Sequence, residues 1–383
     1  MDFTHSDEQK MLVDGARRYL RERYSLEARR AASRTHDGFS RQHWEHFAEF
    51  GWLALPIAEE CGGMGGSPAD VALLMEQLGA ALVAEPVVDS AILCGTLLAH
   101  ASCSPVATEL LGEIGSGARI AALAHVEQEG RCEYDTPVAT CAAKTADGWK
   151  LFGIKHRVFH GASADRLLLT ARLDGSGEMG LFVIDPKTAG VGVTAYELID
   201  GTRAADIRLE AVRVDDGALL LRGERVSEAL ALACDQAVLA LSSAAIGSMD
   251  AVMRMTADYL KTRVQYGQPL ARFQALQHRM AEMFIETDQA RSIVHHALAS
   301  FDSFDGEQVR RAISAAKSLV TRACRFVTGQ GIQLHGGIGT TEEYAVGHHY
   351  RSMLVYEHRF GDYDFHLDRS AGLTARAGQH QGS

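Results

Sequence analysis

Two stretches in the last third of the chain repeat apolar residues in steps of 4-3-4-3. The first carries Leu276, Met280, Met283, Thr287, Ala290, Val294 and Ala297; the second carries Val309, Ile313, Ala316, Val320, Ala323 and Val327. So narrow a seam fits long helices packed nearly antiparallel in a bundle. The helix before them, from about Ser227 to Arg263, is crowded with Ala, Ser and Gly between Ala237 and Ser248. Small side chains let helices approach closely, which places this helix at the bundle centre. Met280 and Met283 fall on the seam and read as core filler.

The first third also reads helical. Ser6-Asp7-Glu8-Gln9 has capping-box spacing, and Leu12, Ala16, Tyr19 and Leu20 form one apolar face. Further helical pattern covers Gln42–Phe50, Pro68–Leu82 and Pro86–His100. Between them lies Cys61-Gly-Gly-Met-Gly-Gly-Ser67, a flexible turn or a loop able to approach a ligand closely. Near Ile120 the helical spacing fades. Asp147-Gly148, Asp174-Gly175, Asp200-Gly201 and Asp216-Gly217 suit tight turns. The strand-like runs between them are 167–169, 181–184, 207–209 and 212–214. The expected fold is α+β: a helical domain over residues 1–119, a central antiparallel β domain over 120–222, a C-terminal four-helix bundle over 223–371, and a frayed polar tail over 372–383.

Composition excludes some functions. The formal net charge of −11 disfavours nucleic acid as a partner. The longest low-charge run, Ala237–Met249, is short for a bilayer span, so no membrane partner is expected. Seven cysteines, an odd number without CxxC spacing, read as reduced thiols in a cytoplasmic protein. Adjacent pairs His295-His296 and His348-His349 point about 100° apart on a helix, and no metal site is expected. Glu342-Glu343 reads as a solvated turn pair, and Ser242-Ser243 lacks a triad pattern.

Two segments carry chemistry. Tyr259-Leu-Lys-Thr-Arg-Val-Gln-Tyr-Gly-Gln-Pro-Leu-Ala-Arg-Phe-Gln-Ala-Leu-Gln-His278 ends one helix, turns at Gly267 and Pro269, and starts another. Arg263 can hold an anion, and Gln274 lies near a helix N-terminus that favours phosphate. Gly331-Ile-Gln-Leu-His-Gly-Gly-Ile-Gly-Thr-Thr-Glu-Glu-Tyr344 sets a glycine cluster just after a long helix, where backbone can come close to a ligand. Each has a plain alternative: a solvated arginine, and a helix cap with its turn.

Together, in order and wording, the two segments resemble the signature regions of the acyl-CoA dehydrogenase family. The resemblance extends to the opening MDFTHSDEQ, the loop at Pro56–Gly66, the β domain and the helical last third. YLKTR, FQALQHR, QLHGGIG, EYAVGH and FGDYDFH look like the small-subunit type of pimeloyl-CoA dehydrogenase in particular. The family implies tetramers in which each FAD lies across a subunit boundary. It implies that Arg263, Tyr266, Gln274, Gln333, Gly336 and Gly337 reach a neighbour's FAD, and that acyl-CoA is the substrate, with electron-transfer flavoprotein as a possible partner.

The chain departs from the family where catalysis is expected. The flavin-ring motif Trp-x-Thr before a glycine is matched by Lys155-His-Arg-Val-Phe-His-Gly161, with Arg157 and Phe159 in place of Trp and Thr. The two positions used for the catalytic Glu hold Phe360 and Ala237. Asp-x-x-Arg, used for the CoA portion, becomes Asp235-Gln-Ala-Val238. Phe and Ala cannot abstract a proton. Asp362 and Asp235 are the nearest carboxylates, each with a plain alternative as a helix cap or a solvated helix residue. The pattern suits a heteromeric enzyme in which a second, related subunit supplies the base. The alternatives are a homomeric dehydrogenase with an unusual base, a structural subunit without flavin, and a flavin oxidase or monooxygenase on the same fold. The substrate would be a fatty, dicarboxylic or steroid-side-chain acyl-CoA.

Overall fold

A computed structural model describes residues 5–301 and 306–380, with side chains through residue 373. The first four residues of the MDFTHSDEQ opening lie outside the described part, as do 381–383 of the expected tail. The architecture is a run of helices, a central sheet and a set of long helices. The helices before the sheet are α1 (Asp7–Arg23), α2 (Leu26–Ser33), α3 (Arg41–Glu49), α4 (Pro68–Ala80), α5 (Gly95–His100) and α6 (Pro105–Gly115). At α1 the capping box is present, with the Gln9 amide donating to Ser6 Oγ at 3.2 Å and the Ser6 amide to Gln9 Oε1 at 3.1 Å. Its buried face is Val13, Ala16 and Leu20, shifted from the expected one, since Leu12 and Tyr19 are only half-buried. Pro86–His100 is not one α-helix: Val87–Cys94 is a π-helix buried at every position.

The glycines of Cys61–Ser67 serve the loop's own packing. A Cβ on Gly63 would come 2.0 Å from the Ile57 carbonyl oxygen, and one on Gly66 would come 2.5 Å from Leu55 Cδ1.

The strands are β1 (Ala121–Ala124), β2 (Cys141–Thr145), β3 (Gly148–Phe159), β4 (Arg166–Leu173), β5 (Met179–Ile184), β6 (Val191–Glu197), β7 (Arg203–Val214) and β8 (Leu219–Arg222). They form one sheet in the order β6-β7-β3-β2-β4-β5-β8, with β1 also on β4. The sheet is mixed rather than wholly antiparallel, because β4 pairs in parallel with both β1 and β2. Asp147-Gly148, Asp174-Gly175 and Asp200-Gly201 make hairpin turns with Gly at positive φ, as tight turns require. Asp216-Gly217 lies instead in a 3₁₀ turn. The expected runs 207–209 and 212–214 are one strand, β7, which passes through Ala211 at φ 55°. Leu151, Leu167, Leu169, Phe182, Ile207 and Val212 centre its core.

The later elements are α7 (Glu224–Thr262), the hairpin β9 (Val264–Gln265) and β10 (Gln268–Pro269), α8 (Gln274–Ser300), α9 (Gly306–His335), α10 (Ala345–His358) and α11 (Tyr363–His380). Helix α11 runs into the expected polar tail as far as His380. The seams are largely buried: Met283, Thr287, Ala290, Val294 and Ala297 on α8, and Ile313, Ala316, Val320, Ala323 and Val327 on α9. Helix α9 packs on α8, α10 and α11. Contacts divide the chain into two compact units, Met1–Arg29 with Ala72–Val83 and Val238–Ser383, and Arg30–Val71 with Ala84–Ala237.

Within the first unit α4 and α7 touch backbone to backbone. A Cβ on Gly79 would sit 2.0 Å from the Ala244 carbonyl oxygen, and one on Gly247 would sit 1.8 Å from the Glu76 carbonyl oxygen. This is the close approach that the Ala/Ser/Gly run permits. Gly247→Ala is expected to lower unfolding free energy by about 2–3 kcal/mol through forced separation of the helices. Urea titration checks it, with Gly372→Ala as a control because that position has open space. Helix α7 is long and apolar enough by composition to cross a membrane, contrary to the reading from its low-charge run, but 72% of its most apolar window is buried inside the protein.

Candidate cofactor and active-site elements

The six residues expected to hold a cofactor lie on one end of the helical unit. Helix α7 stops at Thr262, and the chain reverses at Tyr266 (φ 53°) and Gly267 (φ 80°) between β9 and β10. Positive φ at both central residues is what a two-residue hairpin turn demands, and it turns Tyr266 outward, 91% exposed. The Arg263 amide closes the α7 end on Tyr259 O at 2.8 Å, leaving its side chain exposed. Gln274 is the first residue of the 27-residue α8, and no side chain caps that N-terminus. The Leu276 amide turns back to Phe273 O at 3.0 Å, which leaves the Gln274 and Ala275 N–H groups for an anion.

Gln333, Gly336 and Gly337 are exposed at the end of α9 and in the 3₁₀ turn Gly336–Thr340. Gly336 has φ 63°, so its turn needs glycine. Gly337 needs none for its backbone, and a Cβ there would meet nothing within 4 Å. Packing within this chain does not account for it. The two segments are joined by an aromatic stack: His335 lies 4.6 Å from the Tyr259 ring and 4.8 Å from the Tyr344 ring. Arg279 adds a bond to Gln330 Oε1 at 3.1 Å. The donor set (a guanidinium, two amides, an uncapped helix N-terminus and bare glycine backbone) fits a dinucleotide's phosphates. A cavity of about 450 Å³ lies elsewhere in this unit, and Arg291 on its wall bridges Glu76 at 2.8 Å and Asp250 at 2.6 Å.

The stretch Lys155–Gly161 lies on β3 and the turn after it. Register against β7 slips between Lys155 and Val158, and Arg157 and His160 both have φ 55°. Such strain in non-glycine residues is costly and clusters at functional sites. Arg157 is exposed; its amide donates to Asp206 Oδ1 at 3.2 Å and its guanidinium to the Gly130 carbonyl at 2.9 Å. Below it, Lys155 is fully buried and donates to Glu127 Oε1 at 2.6 Å, His125 O at 3.2 Å and Thr170 Oγ1 at 3.2 Å. Burial pushes Lys155 down to about 8 despite its carboxylate partner. His125 is pushed down to about 3 by burial and then by the Lys155 charge. This cluster was not anticipated.

Each of the two catalytic candidates has structural bonds of its own. Asp362 is half-buried at the start of α11, where Oδ1 accepts the Phe365 amide at 2.9 Å, so it acts as a helix cap. Asp235 is not a solvated helix residue: it is 2% exposed and accepts from the Tyr134 hydroxyl at 2.6 Å. Phe360 and Ala237 are both buried, and Phe360 stands at φ 57° with its carbonyl accepting from His366 Nε2 at 2.8 Å.

The remaining polar residues have structural partners. His348 and His349 are buried in the helical unit, with His349 Nδ1 2.7 Å from Ser248 Oγ. Ser242 donates to Val238 O at 2.7 Å and lies 3.2 Å from the Tyr356 hydroxyl. Glu342 is exposed yet holds Arg351 through two bonds of 2.6 and 3.0 Å. No group of three or more His, Cys, Asp and Glu suited to a metal occurs among the described residues.

Comparison with known proteins gives a consistent result. Residues 233–371 match the family model "Acyl-CoA dehydrogenase, C-terminal domain" and residues 6–117 the model "Acyl-CoA dehydrogenase, N-terminal domain". Acyl-CoA dehydrogenase IpdE2 of Mycolicibacterium smegmatis is 30% identical over 343 residues, covering 89% of this chain and 90% of that protein. A solved variant of the Tcur3481-Tcur3483 steroid ACAD superposes with a TM-score of 0.85 at 25% identity, covering 97% of this chain and 99% of that one. The ChsE4-ChsE5 complex from Mycobacterium tuberculosis shares the fold, with a TM-score of 0.83 at 24% identity and coverage of 100% and 99%.

Proposed function

The chain belongs to the acyl-CoA dehydrogenase family, and from that premise we propose that it is one subunit of a heteromeric, FAD-dependent α,β-dehydrogenase of acyl-CoA thioesters. In this reading it completes a flavin site shared with a second, related subunit, itself being of the small-subunit kind. The observation that carries it is the exposed end of the helical unit, where Gly337 leaves space that nothing in this chain fills. Burial of Phe360 and Ala237 supports the division of labour, because the positions that would hold a base are apolar. A solved neighbour described as the pair Tcur3481-Tcur3483 supports a two-component assembly and a steroid-type acyl-CoA; fatty and dicarboxylic thioesters fit equally.

Arg263, Gln274 and Gln333 would hold the pyrophosphate oxygens, and Gly336 and Gly337 would let backbone come near. Tyr266 would lie along the adenosine half. FAD bound there supplies the hydride acceptor for the β-carbon. Arg157, which donates to Gly130 O, would offer positive charge beside a reduced flavin ring on release of that bond. The base for the α-proton would come from the partner subunit, since Asp362 and Asp235 are both engaged. Electron-transfer flavoprotein is the proposed acceptor, and a cytoplasmic setting suits seven cysteines outside disulfides.

Removing one charged phosphate contact typically costs about 1.5–3 kcal/mol. Arg263→Ala should therefore weaken FAD binding to the co-purified complex by roughly 10–100-fold. Fluorescence titration of deflavinated complex reads this directly. Unchanged affinity in Arg263→Ala and in Gln274→Ala would remove the cradle from the flavin site.

A further inference from the structure

Within the first unit, α1, α4, α7 and α8 all contribute to the wall of the cavity of about 450 Å³. That volume is ordinary for a small-molecule site. Its inner wall is pinned in place. Helices α4 and α7 touch backbone to backbone at Gly247. Arg291 reaches across from α8 to Glu76 of α4 at 2.8 Å and to Asp250 of α7 at 2.6 Å. One guanidinium held by two carboxylates ties three helices together, and its charge is spent on them.

The outer wall differs. Arg17 of α1 and Arg254 of α7 are exposed there. Among the described residues neither forms an ion pair; Arg254 makes only a 3.4 Å contact from Nε to the Asp250 carbonyl. Helix α8 adds Phe284, 59% exposed, and Asp288, also exposed. These two stand one turn apart and so share a face of the helix. Among the described residues Phe284 has no ring partner and Asp288 no cation. The chemistry therefore sorts by helix. Two guanidiniums on α1 and α7 suit phosphate oxygens. An aromatic face with a carboxylate beside it suits a flat ring that carries N–H donors. An aminopurine nucleotide has both halves.

We propose that this cavity binds an adenine nucleotide, with its phosphates on Arg17 and Arg254, its ring against Phe284 and its exocyclic amine donating to Asp288. None of these residues belongs to the Arg263–Gln274 or Gln333–Gly337 segments, so the site is separate from the flavin cradle and does not depend on it.

Calorimetric titration of the purified full-length chain with ADP, without and with saturating FAD, tests the site. ADP should bind in both cases. Arg17→Ala and Arg254→Ala should each weaken it about tenfold, and Arg263→Ala should leave it unchanged. Phe284→Ala should weaken ADP and adenosine alike and leave inorganic phosphate unaffected. Asp288→Asn, which gains a donor, should narrow the preference for ADP over inosine diphosphate. All four side chains are exposed, so urea midpoints of these variants should match the wild type and separate lost binding from lost folding. No binding of ADP overturns the proposal. So does binding that FAD displaces or Arg263→Ala removes, since the nucleotide then sits in the cradle. Inorganic phosphate binding as tightly as ADP overturns the ring half. A chain that binds ADP alone but not in the co-purified complex overturns the ligand site and gives the cavity to the partner subunit.

Discussion

Lys155→Met should cost about 3–5 kcal/mol of stability, the penalty for leaving a buried charge without its partner. Lys155 has no exposed surface, and its ammonium lies 2.6 Å from Glu127. Methionine fills much the same volume, so packing changes little. What is lost is the cation facing a nearly buried carboxylate, together with the donor to His125 O and Thr170 Oγ1. Glu127→Gln in the Lys155→Met background should restore a large part of the loss. The amide oxygen can still accept from Ala139 and Thr140, and no buried charge remains. Urea unfolding of the wild type, both single variants and the double variant forms the cycle. A strong favourable coupling is expected; simple additivity would mean the pair is not the keystone of this region.

Acid should weaken the fold well above the range where ordinary carboxylates titrate. His125, His349 and His366 are each pushed down to about 3, in every case first by burial and next by a nearby cation: Lys155, Arg29 and Lys317 respectively. Unfolded, each imidazole returns to about 6.5. Between about pH 6.5 and 3 the unfolded chain therefore binds protons that the folded chain refuses. Stability rises with pH across this window and is lost as pH falls. Each histidine contributes up to about 1.4 kcal/mol per pH unit once well below its ordinary value. Between about pH 6.5 and 4.5 Glu76, raised above the ordinary carboxylate range by burial, works against this slope, because the folded chain keeps a proton there that the unfolded chain loses as pH rises. Glu127 and Asp37 are held below their usual values, so their contributions are present above the ordinary carboxylate range and lost at lower pH. Urea midpoints across that interval should fall steeply, and less so in His366→Gln, where the amide can still reach Phe360 O and Ser314. A flat profile would contradict the buried neutral imidazoles.

Much of the architecture is written in the sequence because its physics is local. The α8 and α9 seams repeat with helical period, and the burial of Met283 through Ala297 follows from it. Asp-Gly turns mark hairpins because glycine alone adopts their backbone cheaply. The parallel pairing of β4 with β1 and β2 depends on which distant strands meet, and no local pattern records that. The bulges at Arg157 and Ala211 break alternation in β3 and β7, which hid the full length of both strands.

The segments that carry the expected cofactor residues were legible as marks of the family, because their wording is distinctive over short spans. The Lys155 cluster was not, although a signal existed. Lys155 is in phase with Leu151 on the inward face of β3, where a lysine requires a buried partner. Glu127 lies 28 residues earlier on a loop, so only the fold reveals the pair. Asp235 was misjudged as solvated for a similar reason. Its cover, Tyr134, is 101 residues away in the chain.

Most directly, the shared site is tested by counting flavin. The chain purified alone, and again after co-expression with its genetic neighbour, should be compared for FAD per chain and native mass. The account predicts a colourless, inactive chain alone, and a yellow complex of two different chains with fewer FAD molecules than chains. A chain that by itself holds one FAD per subunit and oxidises acyl-CoA would contradict it.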